Sequence, residues 1–99
     1  DILATVADLP EPPFTVGFAA ETHDVLRYAE DKRRRKKLDM IAANQVGQAG
    51  SGFEAEDNAL HVLWEGGGRE FGLRGKAELG ELLVEVIAER YRLARGTAP

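Results

Sequence analysis

The stretch PFTVGFAAETHDVLRYAEDKRRRKKLDMIAAN, residues 13–44, decides the fold. It opens on FTVGFAA, a short, mostly apolar run of the type that a parallel sheet buries on both faces. GFAAET then turns the chain. Thr22 stands where a helix N-cap is expected, with Asp24 complementing the dipole in the first turn. The helix is predicted to run to about Lys37, with Val25, Leu26, Tyr28 and Ala29 facing inward and the last two turns basic. LDMIAAN follows as a second buried strand ending at Asn44. Strand, helix and strand in this order make a right-handed crossover between parallel strands.

Working outward, DILATVADLP places Ile2, Leu3, Val6 and Leu9 at helical spacing. It stops at Pro10, and PEPP continues as a turn or short linker. After Asn44, QVGQAGSGFEAEDN reads as a long loop with three glycines. ALHVLWEGGGREFGL has two alternating runs around three glycines, the pattern of a β-hairpin with residues 66–68 as its turn. KAELGELLVEVIAERYRLA closes the chain as an amphipathic helix, with Leu79, Leu82, Leu83, Val86, Ile87 and Tyr91 as one apolar stripe. Gly80 weakens that helix, which suggests close packing on the sheet. The expected class is therefore α/β with a mixed sheet. In such sheets ligands bind outside the carboxyl ends of the parallel strands, here GFAAET and AANQVG.

Bulk properties narrow the class further. The chain has 99 residues, room for one ordinary domain. Its apolar fraction of 43% argues against disorder. No apolar run approaches the roughly 20 residues of a membrane span, and no charged segment precedes an apolar one as in a secretory signal. The absence of cysteine excludes a disulfide framework and a thiolate metal site, and fits a cytoplasmic protein. The chain enters its first amphipathic segment at Asp1 with no approach loop, so the expectation is a piece of something longer. A sheet cut in this way would leave apolar edges open to self-association.

Several residues at the strand ends could carry chemistry. Phe18 offers a flat face on which a nucleobase could stack, although core packing is the commoner use of phenylalanine. In DKRRRKK, Lys32 and Lys36 are four apart and share a helix face. Two such cations suit a triphosphate; the bland alternative is a solvated run favoured by the helix dipole. Nucleic acid is the weaker reading, because the net charge is −4 and no aromatic residues interleave the run. Asn44 could hydrogen-bond a ligand or the turn that follows it. Glu21 could act as a base or metal ligand, or serve the helix N-terminus. His23 and His61 have no metal-ligand spacing, and the glycines lack the G-x-G-x-x-G and G-x-x-x-x-G-K-[ST] patterns.

Taken together, VGFAAET, the lysine pair four apart, AN at the strand end, DNALHV and the terminal helix resemble the carboxyl-terminal part of bacterial phosphopantothenoylcysteine synthetase. The resemblance covers essentially the whole chain. That enzyme is usually fused behind a flavin-dependent decarboxylase in a bifunctional chain of coenzyme A biosynthesis. The resemblance implies a Rossmann-like half-domain over residues 1–99, the carboxyl-terminal portion of a phosphopantothenate–cysteine ligase domain. It implies activation of 4'-phosphopantothenate by CTP and Mg²⁺ to an acyl-cytidylate, then amide formation with cysteine. It further implies cytoplasmic location and a homo-oligomer, with no nucleic-acid or membrane partner. FMN would belong only to the decarboxylase domain, which this stretch does not include.

Carried over residue by residue, Phe18 matches a CTP contact of the family, and Lys32 and Lys36 match two helix lysines that bind CTP. Asp1 and Ile2 match the end of an N-P-D-I segment at the nucleotide site, without its Asn and Pro. Asn44 rests on motif position alone. A loop lysine used in the second half-reaction and the glycine-rich strand-to-helix turn have no counterpart here, so little activity is expected of this stretch alone; the alternative is a noncatalytic nucleotide-binding or assembly piece. A further expectation follows from helix geometry. Lys32 lies roughly 15 Å beyond Thr22 at 1.5 Å per residue, so either a single nucleotide stretches along the helix, or the lysine side chains reach back toward it, or the site involves a second subunit; the first, an extended triphosphate, is the expectation.

Overall fold

The protein is described by a computed structural model covering residues 1–46 and 57–96. The elements are α1 (Ile2–Ala7), β1 (Val16–Glu21), α2 (Val25–Arg35), β2 (Met40–Gln45), β3 (Asp57–Trp64), β4 (Gly67–Gly75) and α3 (Lys76–Ala94). The four strands form one sheet in the order β1-β2-β3-β4. β1 and β2 are parallel, while β3 runs antiparallel to both β2 and β4. This is the expected mixed α/β sheet, with a βαβ unit, a hairpin and a closing helix.

Strand alternation assigns each sheet residue to one of two cores. Met40, Ala42 and Val62 point to one face, where they meet Phe71 and the buried stripe Leu79, Leu83 and Val86 of α3. Ala19, Ile41 and Ala43 point to the other face and pack with Val25 and Ala29 of α2. The same alternation along β1 sends Phe18 to the α3 face and Ala19 to the α2 face. Between these faces β1 is an edge strand among the described residues.

The element boundaries depart from the sequence expectation in instructive places. β1 begins two residues later than expected, because Thr15 is held from outside the ladder: its N–H donates to Asp39 Oδ2 at 2.8 Å. β2 likewise starts at Met40 and continues through Gln45, one residue past Asn44. Thr22 is not the N-cap of α2. That position is Asp24, in the left-handed region at φ 48°, and its side chain makes no cap hydrogen bond. The Thr22 hydroxyl instead lies 3.0 Å from His23 Nδ1. α2 ends at Arg35, and Lys37 turns the chain with φ 59°. Leu26 is exposed rather than inward; the inward row is Val25, Ala29 and Arg33.

The hairpin turn is shorter than GGG implies. Only Glu65 and Gly66 separate the strands, with Gly66 at φ +83°. Gly67 and Gly68 belong to β4. At Gly68 a Cβ would fall 2.8 Å from the Val62 carbonyl oxygen, a clash with backbone, so that glycine is required by close strand approach rather than by the turn. At Gly80 the reverse holds. A Cβ there would meet nothing within 4 Å, so no close packing explains it. The expected long loop falls mainly on residues 47–56, outside the described residues.

Candidate functional site

Asp1 is the N-cap of α1, its carboxylate accepting from the Leu3 and Ala4 N–H groups at 3.0 and 3.3 Å. The opposite oxygen, Oδ2, lies 2.6 Å from Lys36 Nζ. Ile2 is almost fully exposed beside it. Asp1, Ala4, Thr5 and Asp8 of this segment face Arg35, Lys36 and Lys37 across a polar cleft of about 430 Å³. At its far rim Lys37 Nζ meets Asp8 Oδ1 at 2.7 Å. That contact holds the Asp8 carboxyl below its ordinary range and raises the Lys37 ammonium.

One turn earlier on α2, Lys32 reaches back to the carboxyl end of β1. Its Nζ lies 2.6 Å from Glu21 Oε2. Helical side chains lean toward their N-terminus, and α2 starts at the carboxyl end of β1, so the lean carries the ammonium toward the strand end. The approximately 15 Å rise along the helix axis is thus partly recovered by the side chain itself.

Every cation of the run 32–37 has a carboxylate partner. Lys32 pairs with Glu21, Arg34 with Glu30, Arg35 with Asp31, Lys36 with Asp1 and Lys37 with Asp8. Arg33 is different in kind: it is buried at 5% exposure, and its guanidinium binds both oxygens of Glu30 at 2.8 Å, Glu65 Oε2 at 2.7 Å and the Leu38 carbonyl at 3.2 Å. The Glu30 carboxylate raises the Arg33 guanidinium further above its already high value and is itself lowered. The pairing explains how an acidic chain carries a basic run.

Phe18 stands apart from the lysines. Its ring is 72% exposed and borders an apolar cavity of about 300 Å³ on the α3 face. Ala42, Leu60 and Leu79 form much of the lining, with Asn44 and Lys76 as its polar groups. The lysines lie on the α2 face. The expectation of one nucleotide stretched along the helix in a single subunit therefore fails: the sheet intervenes, because β1 sends alternate side chains to opposite faces. Contact with Phe18 and both lysines requires passing the edge of β1 that pairs with no described strand, or a second subunit.

The geometry brings Asp1, Ile2 and Lys36 together, brings Lys32 to Glu21, and places Phe18 with Asn44. His23 packs edge-on against Tyr28 at 5.4 Å, and His61 Nδ1 lies 3.4 Å from Glu70 Oε2 across the hairpin. Sequence reasoning missed three features. It did not pair Glu21 with Lys32, although the lean of helix side chains pointed there. It did not single out Arg33, although Val25, Ala29 and Arg33 follow one another at intervals of four. It gave no role to Lys76 at the start of α3.

Residues 1–91 match the family described as DNA/pantothenate metabolism flavoprotein C-terminal domain. The chain is 49% identical over 92 residues to the Coenzyme A biosynthesis bifunctional protein CoaBC of Escherichia coli (strain K12), covering 92% of this chain and 23% of that protein. It is 50% identical over 93 residues to the protein of the same name from Haemophilus influenzae, again covering 23% of its length. A crystal structure of the C-terminal domain of a Coenzyme A biosynthesis bifunctional protein CoaBC superposes with a TM-score of 0.71 at 31% identity, over 90% of this chain and 43% of that one. The chain thus spans less than a quarter of the curated relatives' length.

Proposed function

Because this chain belongs to the DNA/pantothenate metabolism flavoprotein C-terminal domain family, we propose that it supplies part of the CTP site of a phosphopantothenate–cysteine ligase in coenzyme A biosynthesis. In this reading the carboxylate of 4'-phosphopantothenate attacks the α-phosphorus of CTP, releasing pyrophosphate and leaving an acyl-cytidylate, and the cysteine amine then displaces CMP to form the amide. The chain's contribution is positioning and charge stabilisation during nucleotidyl transfer. Lys32 and Lys36 neutralise the phosphates, Asp1 and Ile2 border them, and Phe18 contacts the nucleotide from the other side of the β1 edge. The cytoplasm is the compartment for this chemistry.

The observation that carries the reading is the state of the two lysines. Each is paired with a single carboxylate, and their side chains remain 36% and 34% exposed. An ammonium has three donors, so both retain capacity for phosphate oxygens. Arg33 between them uses four of its five N–H donors within the chain.

Among the described residues, no three carboxylate, imidazole or thiol groups converge as a metal cage. A Mg²⁺ ion in this reading would be carried on the triphosphate, where it would neutralise phosphate charge. The separation of Phe18 from the lysines favours a site completed by further chain or by a second subunit, which is where the homo-oligomer enters the proposal.

Calorimetric titration with Mg-CTP, using Mg-ATP as control, tests the reading in the full-length protein and in this segment. Selective CTP binding by the full-length protein that weakens on Lys32→Ala and Lys36→Ala, with folding retained, is the expected result. Equal affinity for CTP and ATP, falling steeply with salt, would reduce the site to generic phosphate contact. Binding by the full-length protein alone would place the remainder of the site outside these residues.

A further inference from the structure

We propose that Glu21 is the positioning residue for Lys32, and that it sets affinity for the nucleotide triphosphate by fixing where the ammonium stands. This rests on the CTP reading above. A lysine side chain is a point charge on a flexible four-carbon stem and carries about 2 kcal/mol of rotamer entropy. Left alone on a helix surface, Lys32 would sample solvent. Here it is drawn to one place.

Three features make Glu21 suited to hold it. The first is rigidity. Glu21 is the last residue of β1, in register with Gln45 of the parallel neighbour, and its carbonyl accepts from Val46 N–H at 2.9 Å. The second is burial. The Glu21 side chain is only 12% exposed, and among the described residues Oε2 makes no hydrogen bond of good geometry. The Lys32 ammonium at 2.6 Å compensates that oxygen by charge. A buried carboxylate with no other compensation holds its cation strongly. The third is what remains open. One carboxylate does not exhaust the three donors of an ammonium, and the Lys32 side chain keeps an open side. The contrast with the adjacent Arg33, bound by two carboxylates and a carbonyl, is direct.

Glu21 therefore acts through Lys32 and does not touch the reacting atoms. The test is a cycle in the full-length protein: Glu21→Gln, Lys32→Ala and the double variant, with steady-state kinetics in Mg-CTP and a melting temperature for each. Glu21→Gln keeps size and shape but removes the charge. Its expected effect is a rise in KM for CTP of about tenfold with kcat nearly unchanged, the signature of lost uniform binding. In the Lys32→Ala background the same change is expected to add nothing, since residues acting as a unit are non-additive. Glu21→Asp, which retains the charge on a shorter arm, is expected to fall between Glu21→Gln and the unmodified protein. It supplies the measurement should Glu21→Gln fold poorly.

A Glu21→Gln effect of the same size with and without Lys32 would overturn the proposal, as would an unchanged KM where Lys32→Ala raises it. A fall in KM would also overturn it, making Glu21 a competitor of the phosphates. In these outcomes the CTP reading stands. If Lys32→Ala leaves the KM for CTP unchanged, Lys32 leaves the nucleotide site and the proposal falls with it.

Discussion

The two faces of the sheet are closed by opposite means. On the α3 face, buried Met40, Val62, Phe71, Leu79, Leu83 and Val86 are backed by Phe14, Leu60, Trp64 and Ile87, a core of large side chains. On the α2 face the buried set is Ala19, Val25, Ala29, Ile41 and Ala43. Small residues let α2 approach the sheet but bury little apolar area. Charge closes that face instead, through Arg33 and the ion pairs along the helix. The apolar face leaves a cavity beside Phe18, while the charged face leaves two lysines with donors to spare. The chain thus presents an apolar cavity and a pair of partly exposed lysines on opposite faces of the sheet at β1, an edge strand among the described residues.

The difference is broken most severely from the apolar side. Met40 is fully buried at the centre of the α3 core. Met40→Ala is expected to cost about 2–5 kcal/mol, by lost transfer energy and the cavity left behind. Urea denaturation reads this directly. A cost well under 1 kcal/mol would mean that the α3 face collapses around the gap and is not the main store of stability.

On the charged side the corresponding residue is Arg33. Arg33→Ala leaves Glu30 with Arg34 alone and frees the Leu38 carbonyl, for an expected loss of about 1–3 kcal/mol. Arg33→Lys should recover little, because a point charge cannot meet both oxygens of Glu30 and also Glu65. Full recovery by lysine would show that only net charge matters at this site.

The same pair predicts a pH response of smaller size. Arg33 holds the Glu30 carboxyl below its ordinary value of 4.5 by side-chain hydrogen bonds, and burial only partly opposes this. A carboxyl lowered by folding stabilises the folded state fully above its unfolded pKa. That stabilisation is lost as pH falls through the lower folded value. Stability should therefore decline from about pH 4.5 downward, and the part due to this pair should vanish in Arg33→Ala. Parallel acid-denaturation curves for the two proteins would refute the assignment.

Much of this organisation was legible in the sequence, for identifiable reasons. FTVGFAA and LDMIAAN are dense enough in apolar residues to mark paired strands covered on both faces, and the spacing of Leu79, Leu83 and Val86 marks one helix face. What was not legible depended on tertiary placement. Thr22 has the chemistry of an N-cap, but the turn closes two residues later with Asp24 in the left-handed region. Alternation along β1 separates Phe18 from Ala19, but which of the two faces α2 covers and which α3 covers is settled only by the packing of the helices on the sheet. Arg33 looks like its neighbours in DKRRRKK, and only the packing of α2 on the sheet separates the buried cation from those available to a ligand.

The smallest expected effect on stability is the one that tests the function of the apolar face. The Phe18 ring is 72% exposed, so Phe18→Ala removes little buried area and should change stability by no more than about 0.5 kcal/mol. A single exposed aromatic is ordinary on a protein surface; in the proposed reading this one is covered by the nucleotide, and stacking on a ring contributes about 1–3 kcal/mol. Phe18→Ala should therefore weaken CTP binding by the full-length protein by one to two orders of magnitude on that scale, while leaving its melting temperature nearly unchanged. Phe18→Tyr, which keeps the ring face, should restore binding. A variant that loses stability but binds CTP normally would turn the argument round: the ring would then be packing against neighbouring protein, and the nucleotide would rest on the charged face alone.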